Sequence, residues 1–277
     1  MPGSSDTAPE PAPRAYHPSP FIRGSVALHV AAAGALIARP GLWPWALGAV
    51  VANHLALTAA GLWPRAALLG PNHTRLPAGA AARGEIAITV DDGPDPDVTP
   101  AVLALLDKHG ARSSFFCVGE RVTRFPQLAR EIVARGHSVE NHTQHHLHRF
   151  SLLGPRALRA EIDAAQESIG FATGAAPRFF RAPAGLRNPF LEPQLARAGL
   201  TLVSWTRRGF DTVATSSAPV LSRLTQGLTA GDILLLHDGH AGRTAGGTPL
   251  ILEVLPRLLA AVRAAGLKPV TLRTAWA

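Results

Sequence analysis

Two adjacent carboxylates, Asp91 and Asp92, end the apolar run EIAITVDDGPD and are followed at once by Gly93 and Pro94. Further along, VENHTQHHLH holds His142 and His146 four positions apart, FFRAPAG delivers Arg181, and ILLLHDGH delivers His237 beside Asp238. Each group stands where an apolar segment ends, and burying an ionisable side chain is costly unless it is paired. Ordinary pairing, Arg181 with Asp91 for instance, accounts for two of them. It does not account for acid, base and metal-ligand types recurring after successive apolar runs. Two imidazoles at i, i+4 converge on one ion if the segment makes a helical turn, and two histidines with one carboxylate form a common catalytic Zn²⁺ set that keeps a position open for water. A solvated polar loop is the competing reading of the histidines, because His137, His145, His148 and Arg149 lie close by.

Positioning these groups requires a scaffold that brings the ends of many apolar runs together. The candidate strands are EIAITV (85–90), SSFFCV (113–118), HSVE (137–140), RFFRA (178–182), TLVSWT (201–206), DILLLH (232–237) and KPVTL (268–272), and helical patterns alternate with them, several closed by glycine. Repeated strand–helix units imply an α/β fold with a parallel sheet, here a small or incomplete β/α barrel, with an open doubly wound sheet as the alternative. In both, active sites sit at the carboxyl ends of the strands, where the unusual residues fall.

The first seventy residues have another character. Residues 1–20 are rich in Pro, Ser and Ala without apolar periodicity, the composition of a disordered tail. Residues 21–70 hold two uncharged apolar runs, Gly24 to Ala38 and Gly41 to Trp63, separated by Arg39. The second is long enough to cross a bilayer and has Trp43, Trp45 and Trp63 near its ends. The first, about 22 Å as a helix at roughly 1.5 Å per residue, is short for a hydrocarbon core of about 30 Å unless it extends back through Phe21. The expectation is a membrane-associated helical hairpin in a bacterial-type inner membrane, with a buried hairpin of a soluble protein as the alternative. If both runs span, the arginine distribution puts the downstream domain in the cytoplasm; if only the second spans, the domain can lie outside. A turn-rich linker, 71–84, then leads to the domain at 85–277.

Composition bounds the rest. With 277 residues, 47% hydrophobic and 17% charged, the chain can bury one large core. Its single cysteine, Cys117, excludes an internal disulfide framework and reads as a small core residue. The formal charge of +8 comes from scattered arginines rather than a basic block, which argues against nucleic acid and fits an anionic lipid or polymer at least as well. No segment demands an obligate protein partner.

The motifs TVDDGPD, VENHTQHH, FFRAPAG, SWTRRGFD and ILLLHDGH, in this order and spacing, resemble the five motifs of the polysaccharide deacetylases, carbohydrate esterase family 4, also called the NodB homology domain. The resemblance covers roughly Glu85 to Leu272 and implies a distorted, incomplete TIM-like β/α barrel. It implies a divalent metal on Asp92, His142 and His146, with Zn²⁺ the expected ion and Co²⁺ or another transition metal the alternative. It makes Asp91 the general base, His237 the general acid, Arg181 the group that orients Asp91, and Asp211 the holder of protonated His237. A main-chain N–H at Ala184 would serve the oxyanion, and Trp205 and Leu235 would wall the acetyl methyl, where core packing is the plainer reading of both. Two departures stand out. The third motif usually reads Arg-Pro-Pro-Tyr-Gly but here runs from Arg181 to Gly185 without the aromatic ring, and Arg207, Arg208 and Thr212 replace residues that are often acidic or tryptophan, which predicts a more cationic rim. The implied activity is N-deacetylation of an amino sugar in a glycan or glycolipid. Deacylation or deformylation of a lipid-linked sugar is a second reading, and an inactive carbohydrate-binding barrel, which should have lost a ligand, the base or the acid, is a third.

Overall fold

A computed structural model of the chain describes residues 12–277, so the first part of the expected tail lies outside the described residues. Residues 12–19 run without regular structure along the domain, where Arg14 pairs with Glu192 at 2.6 Å. Two helices follow, α1 (Pro20–Ala38) and α2 (Trp43–Leu62), packed as a hairpin. Ser19 caps α1 by accepting from the Ile22 N–H at 3.2 Å, and Pro20 fits its first turn, where an N–H would have no partner. The first apolar run therefore does extend back past Phe21. Both helices are long and apolar enough to cross a membrane, and little of either is buried.

The remaining elements are α3 (Ala78–Ala82), β1 (Glu85–Asp91), α4 (Thr99–Lys108), β2 (Ser113–Cys117), α5 (Gly119–Arg124), α6 (Pro126–Ala134), β3 (Ser138–Asn141), α7 (Pro155–Thr173), β4 (Phe179–Phe180), α8 (Leu191–Arg197), β5 (Thr201–Leu202), β6 (Arg207–Arg208), α9 (Ser217–Thr225), β7 (Ile233–His237), α10 (Leu250–Ala264), β8 (Lys268–Pro269) and α11 (Leu272–Ala275). The strands pair in parallel in the order β5-β4-β3-β2-β1-β7-β6, with β8 joining the start of β1. This is an incomplete β/α barrel. Its open side, between β5 and β6, is bridged by the segment read from sequence as a linker: the His73 N–H donates to Leu202 at 3.0 Å, and the Leu76 N–H donates to Gly231 at 2.9 Å.

The pleat explains which residues enter the barrel. In β1, Ile86, Ile88 and Val90 pack outward against the helices with Val102, Leu103 and Leu106 of α4 and Val254, Leu255 and Leu258 of α10. The alternate positions, Ala87, Thr89 and Asp91, face inward. Strand β7 repeats this with Leu234 and Leu236 outward and Ile233, Leu235 and His237 inward, and the register sets Asp91 opposite His237. Each buried Leu, Ile or Val contributes about 1.5–3 kcal/mol, so a one-residue slip that turned these faces over would be strongly disfavoured. The hydrophobic pattern thus fixes which carboxylate and which imidazole reach the interior.

Candidate active site

The carboxyl ends of the strands open into a cleft of about 970 Å³ whose lining includes Asp91, Asp92, His142, His146 and His237. Asp91 is the last residue of β1 and its side chain stays in the pleat. Arg181, just past β4 and 1% exposed, donates from Nη1 to Asp91 Oδ1 at 2.6 Å and to Thr89 Oγ1 at 2.8 Å. Its Nε and Nη2 donate to the carbonyls of Val203 and Ser204, and its guanidinium lies 4.0 Å from the Phe116 ring centroid. Every arm of the cation is held, as a buried arginine requires.

Asp92 leaves the strand with φ of 73°, in the left-handed region that is strained for a side-chain-bearing residue, and this turns its carboxylate toward the histidines. Asp92 Oδ1 lies 3.2 Å from Nε2 of both His142 and His146. The His142 Nδ1 donates to the Arg181 carbonyl at 2.8 Å, which aims Nε2 at Asp92. The segment 142–146 makes no helical turn, the condition under which the spacing alone would bring the two rings together. Thr143 and His146 have φ of 67° and 49°, and a loop held by Thr143 N–H to Asn141 Oδ1 and His146 N–H to Thr143 Oγ1 makes the two rings converge, their centroids 4.8 Å apart.

These three residues fit a cation. Their ligand atoms lie within 4.8 Å of one another, and Asp92 Oδ1 is buried without a hydrogen-bond partner, which is costly for a carboxylate oxygen unless positive charge faces it. The electrostatics agree. Burial alone would raise the Asp92 pKa, yet the facing His142 imidazole, the His240 hydrogen bond and the charge of His237 hold it well below the usual carboxylate range. Burial alone would lower His142, yet Asp91 and Asp92 raise it. His146 falls to about 4, mainly through burial and the neighbouring His142 charge, and so presents a neutral ring.

Across the cleft, Asp211 grips His237 twice, accepting from Nδ1 at 2.9 Å and from the backbone N–H at 2.8 Å. Burial opposes the charged imidazole, but Asp211, followed by Asp91 and Asp92, raises its pKa above the ordinary 6.5. Ala184 lines the cleft with φ of 53°, in a short turn from Pro183 to Gly185, and buried Trp205 and Leu235 supply apolar wall. The structure thus brings Asp91, Asp92, His142, His146, Arg181, Ala184, Trp205, Asp211, Leu235 and His237 together around one cleft.

The predicted rim is corrected in part. Arg208 and Thr212 line the cleft, but Arg207 points away, pairs with Asp232 at 2.7 Å and donates to the carbonyls of Gln226 and Gly227. Arg121 and Arg149 join the lining instead. Sequence reasoning passed over His240, whose Nδ1 lies 3.1 Å from Asp92 Oδ2, and Thr89, which shares Arg181. His240 stands inside the motif ILLLHDGH, and that was its one sequence signal.

The model of the polysaccharide deacetylase family matches residues 78–203. A peptidoglycan-N-acetylglucosamine deacetylase of Bacillus cereus is 33% identical over 175 residues, covering 62% of this chain and 81% of that protein. A chitooligosaccharide deacetylase of Bradyrhizobium sp. is 36% identical over 156 residues, covering 56% and 71%. Among solved structures, a family 4 carbohydrate esterase from Streptomyces lividans in complex with acetate superposes with a TM-score of 0.61 at 30% identity, covering 67% of this chain and 91% of that one.

Proposed function

The chain belongs to the polysaccharide deacetylase family, and from that premise we propose that it is a membrane-attached hydrolase that removes the acetyl group from the nitrogen of an amino sugar in a glycan or glycolipid. The observation that carries this reading is the division of labour around Asp92: one buried carboxylate faces two imidazoles, while its neighbour Asp91 is held apart by Arg181. A divalent ion, Zn²⁺ by the donor set, would be held by Asp92, His142 and His146 and supplies Lewis acidity that polarises the amide carbonyl and acidifies water.

The chain's own groups do the rest. Arg181 fixes Asp91 Oδ1, so Asp91 can accept the proton released as water attacks the acetyl carbon. The Ala184 main-chain N–H, on the cleft wall, donates to the developing oxyanion. An amide cannot expel a bare nitrogen anion near neutral pH, so the leaving nitrogen must gain a proton as the C–N bond breaks. His237 donates it from Nε2, because Asp211 occupies Nδ1 and keeps the ring protonated. Acetate and a free amine leave. Trp205 and Leu235 exclude water around the acetyl methyl.

The inactive-barrel reading predicts a missing ligand, base or acid, whereas Asp91, Asp92, His142, His146 and His237 are all present and convergent. Amine release from N-acetylglucosamine oligomers by the full chain, with and without added Zn²⁺, tests the proposal. Release should need the metal and fall by about 10²-fold or more in Asp91→Asn, the scale of general-base catalysis. Release that survives Asp91→Asn would remove Asp91 from the role of base.

A further inference from the structure

A second cavity, of about 650 Å³, lies between the helical hairpin and the barrel. Val26, Val30 and Leu57 of the hairpin form one wall, and Leu152 and Phe190 of the barrel form the other. Leu152 is 83% and Phe190 51% exposed, so the barrel presents apolar surface to the place where the hairpin would enter lipid. None of the chemistry at the metal site uses this groove.

A third hollow shares lining residues with both groove and catalytic cleft. Leu62 lines the groove and also this hollow, together with Trp63, Pro64 and Arg65, while Trp205 and Arg208 line the hollow and the catalytic cleft alike. Four arginines line this hollow, of which Arg207 pairs with Asp232 and Arg223 donates to the Gly209 carbonyl. Arg65 donates to the Thr206 carbonyl at 3.3 Å, and Arg208 lies over Trp205, 5.4 Å from its ring centroid, with its Nε buried and lacking a hydrogen-bond partner. Neither reaches a carboxylate among the described residues.

Both ends of the hairpin return to the barrel: Arg14 pairs with Glu192 ahead of α1, and the Arg187 N–H donates to Gly61 at the end of α2 at 3.1 Å. A hairpin that crosses the bilayer therefore leaves residues 12–19 and the barrel on one side. Arg14, Arg23, Arg65 and Arg75 on that side, against Arg39 in the turn, make it the cytoplasmic side. The groove then opens at the level of the bilayer, within reach of a lipid chain.

We infer that the substrate is amphiphilic: an N-acetylated amino sugar joined through an anionic linkage to a long hydrocarbon chain. The chain lies in the groove, the anion sits beside Arg65 and Arg208, and the sugar reaches Asp91, Asp92 and His237. Hydrocarbon wall, unpaired cations and catalytic cleft follow one another in the order of the parts of such a molecule, whereas a soluble oligosaccharide would use the cleft alone. The inference rests on the deacetylase reading and narrows its substrate.

The test uses the full chain in lipid nanodiscs, loaded with Zn²⁺. Amine release is compared between N-acetylglucosamine 1-phosphate esterified to a long isoprenoid alcohol and a soluble N-acetylglucosamine oligomer. The ratio of kcat/KM should favour the amphiphile by about tenfold or more, because burying only a few methylenes suffices for that factor. Leu152→Glu puts charge in the groove and Val30→Trp fills it, and each should lower the ratio by about tenfold. Both positions are exposed, so neither change disturbs a packed core. Equal use of the two substrates, or a ratio that neither variant moves, overturns the inference while deacetylation stands. Failure to release amine from either substrate overturns the deacetylase reading and this inference with it.

Discussion

Asp91 and Asp92 are adjacent in the chain yet face different partners because β1 ends between them. Asp91 keeps the strand's alternation and points inward with Thr89; Asp92, at a φ of 73°, swings to the histidines. The pair was legible in the sequence because two carboxylates at the end of an apolar run have no packing role. His240 was not, since its approach to Asp92 depends on the turn after β7 and histidine in a polar loop is ordinary. The grip of Asp211 on His237 gives the residue-scale prediction. By raising the His237 pKa, Asp211 keeps the acid protonated to higher pH, so Asp211→Asn should move the basic limb of the kcat/KM profile to lower pH while leaving the acidic limb in place. Stability should follow the same group. With its folded pKa above 6.5, His237 contributes stability that is fully present below that value and is lost as the pH climbs through the raised one. The wild type should therefore lose more Tm than Asp211→Asn over that window in a thermal melt series; parallel losses would exclude the pairing as a source of stability.

Among the elements, the long strands were readable because fully buried parallel strands are continuous apolar runs. The sheet edges were not. Strand β6 consists of Arg207 and Arg208, whose composition signals a solvated loop, yet it pairs with β7 while Arg207 pairs with buried Asp232. The segment 71–84 lacks a strand pattern for a related reason: it meets the sheet through single bridges, and its Arg75 is anchored by Asp232 at 2.8 Å. Arg207 was expected on the rim from its place in the fourth motif, and the buried Asp232 draws it away instead. The turn after β7 offers a sharper test. At Gly239 a β-carbon would overlap the carbonyl oxygen of Asp92, so Gly239→Ala must displace the backbone that holds Asp92 at its strained φ. Zn²⁺ affinity, titrated against a chromogenic chelator, should fall by about 10–100-fold, the range for losing a group that orients a metal ligand. The far-UV spectrum should not change, because the β1–β7 ladder ends before this turn. Unchanged affinity would show that Asp92 does not need this turn to reach its histidines.

At the scale of the molecule, the two helices of the hairpin were legible in the sequence as two uncharged apolar runs separated by Arg39 and flanked by tryptophans. It could not tell one crossing from two, because Gly24 to Ala38 alone is too short and only the Ser19 cap shows the helix starting at Pro20. α1 runs over 19 residues, about 28 Å at 1.5 Å per residue, close to a hydrocarbon core of about 30 Å when Arg23 in its first turn reaches out to the interface. The contact of Arg14 with Glu192 then returns the start of α1 to the barrel. If both helices cross, the barrel lies on the side of residues 12–19, which the arginine distribution would place in the cytoplasm, and the chain suits a direct test because its single cysteine, Cys117, is buried. In intact cells a membrane-impermeant maleimide should label Gly41→Cys, in the turn between the helices, and leave Asp97→Cys, on the barrel surface, unlabelled until the membrane is opened. Labelling of Asp97→Cys in intact cells would put the barrel outside, and the lipid-linked substrate would then have to be presented from the outer leaflet.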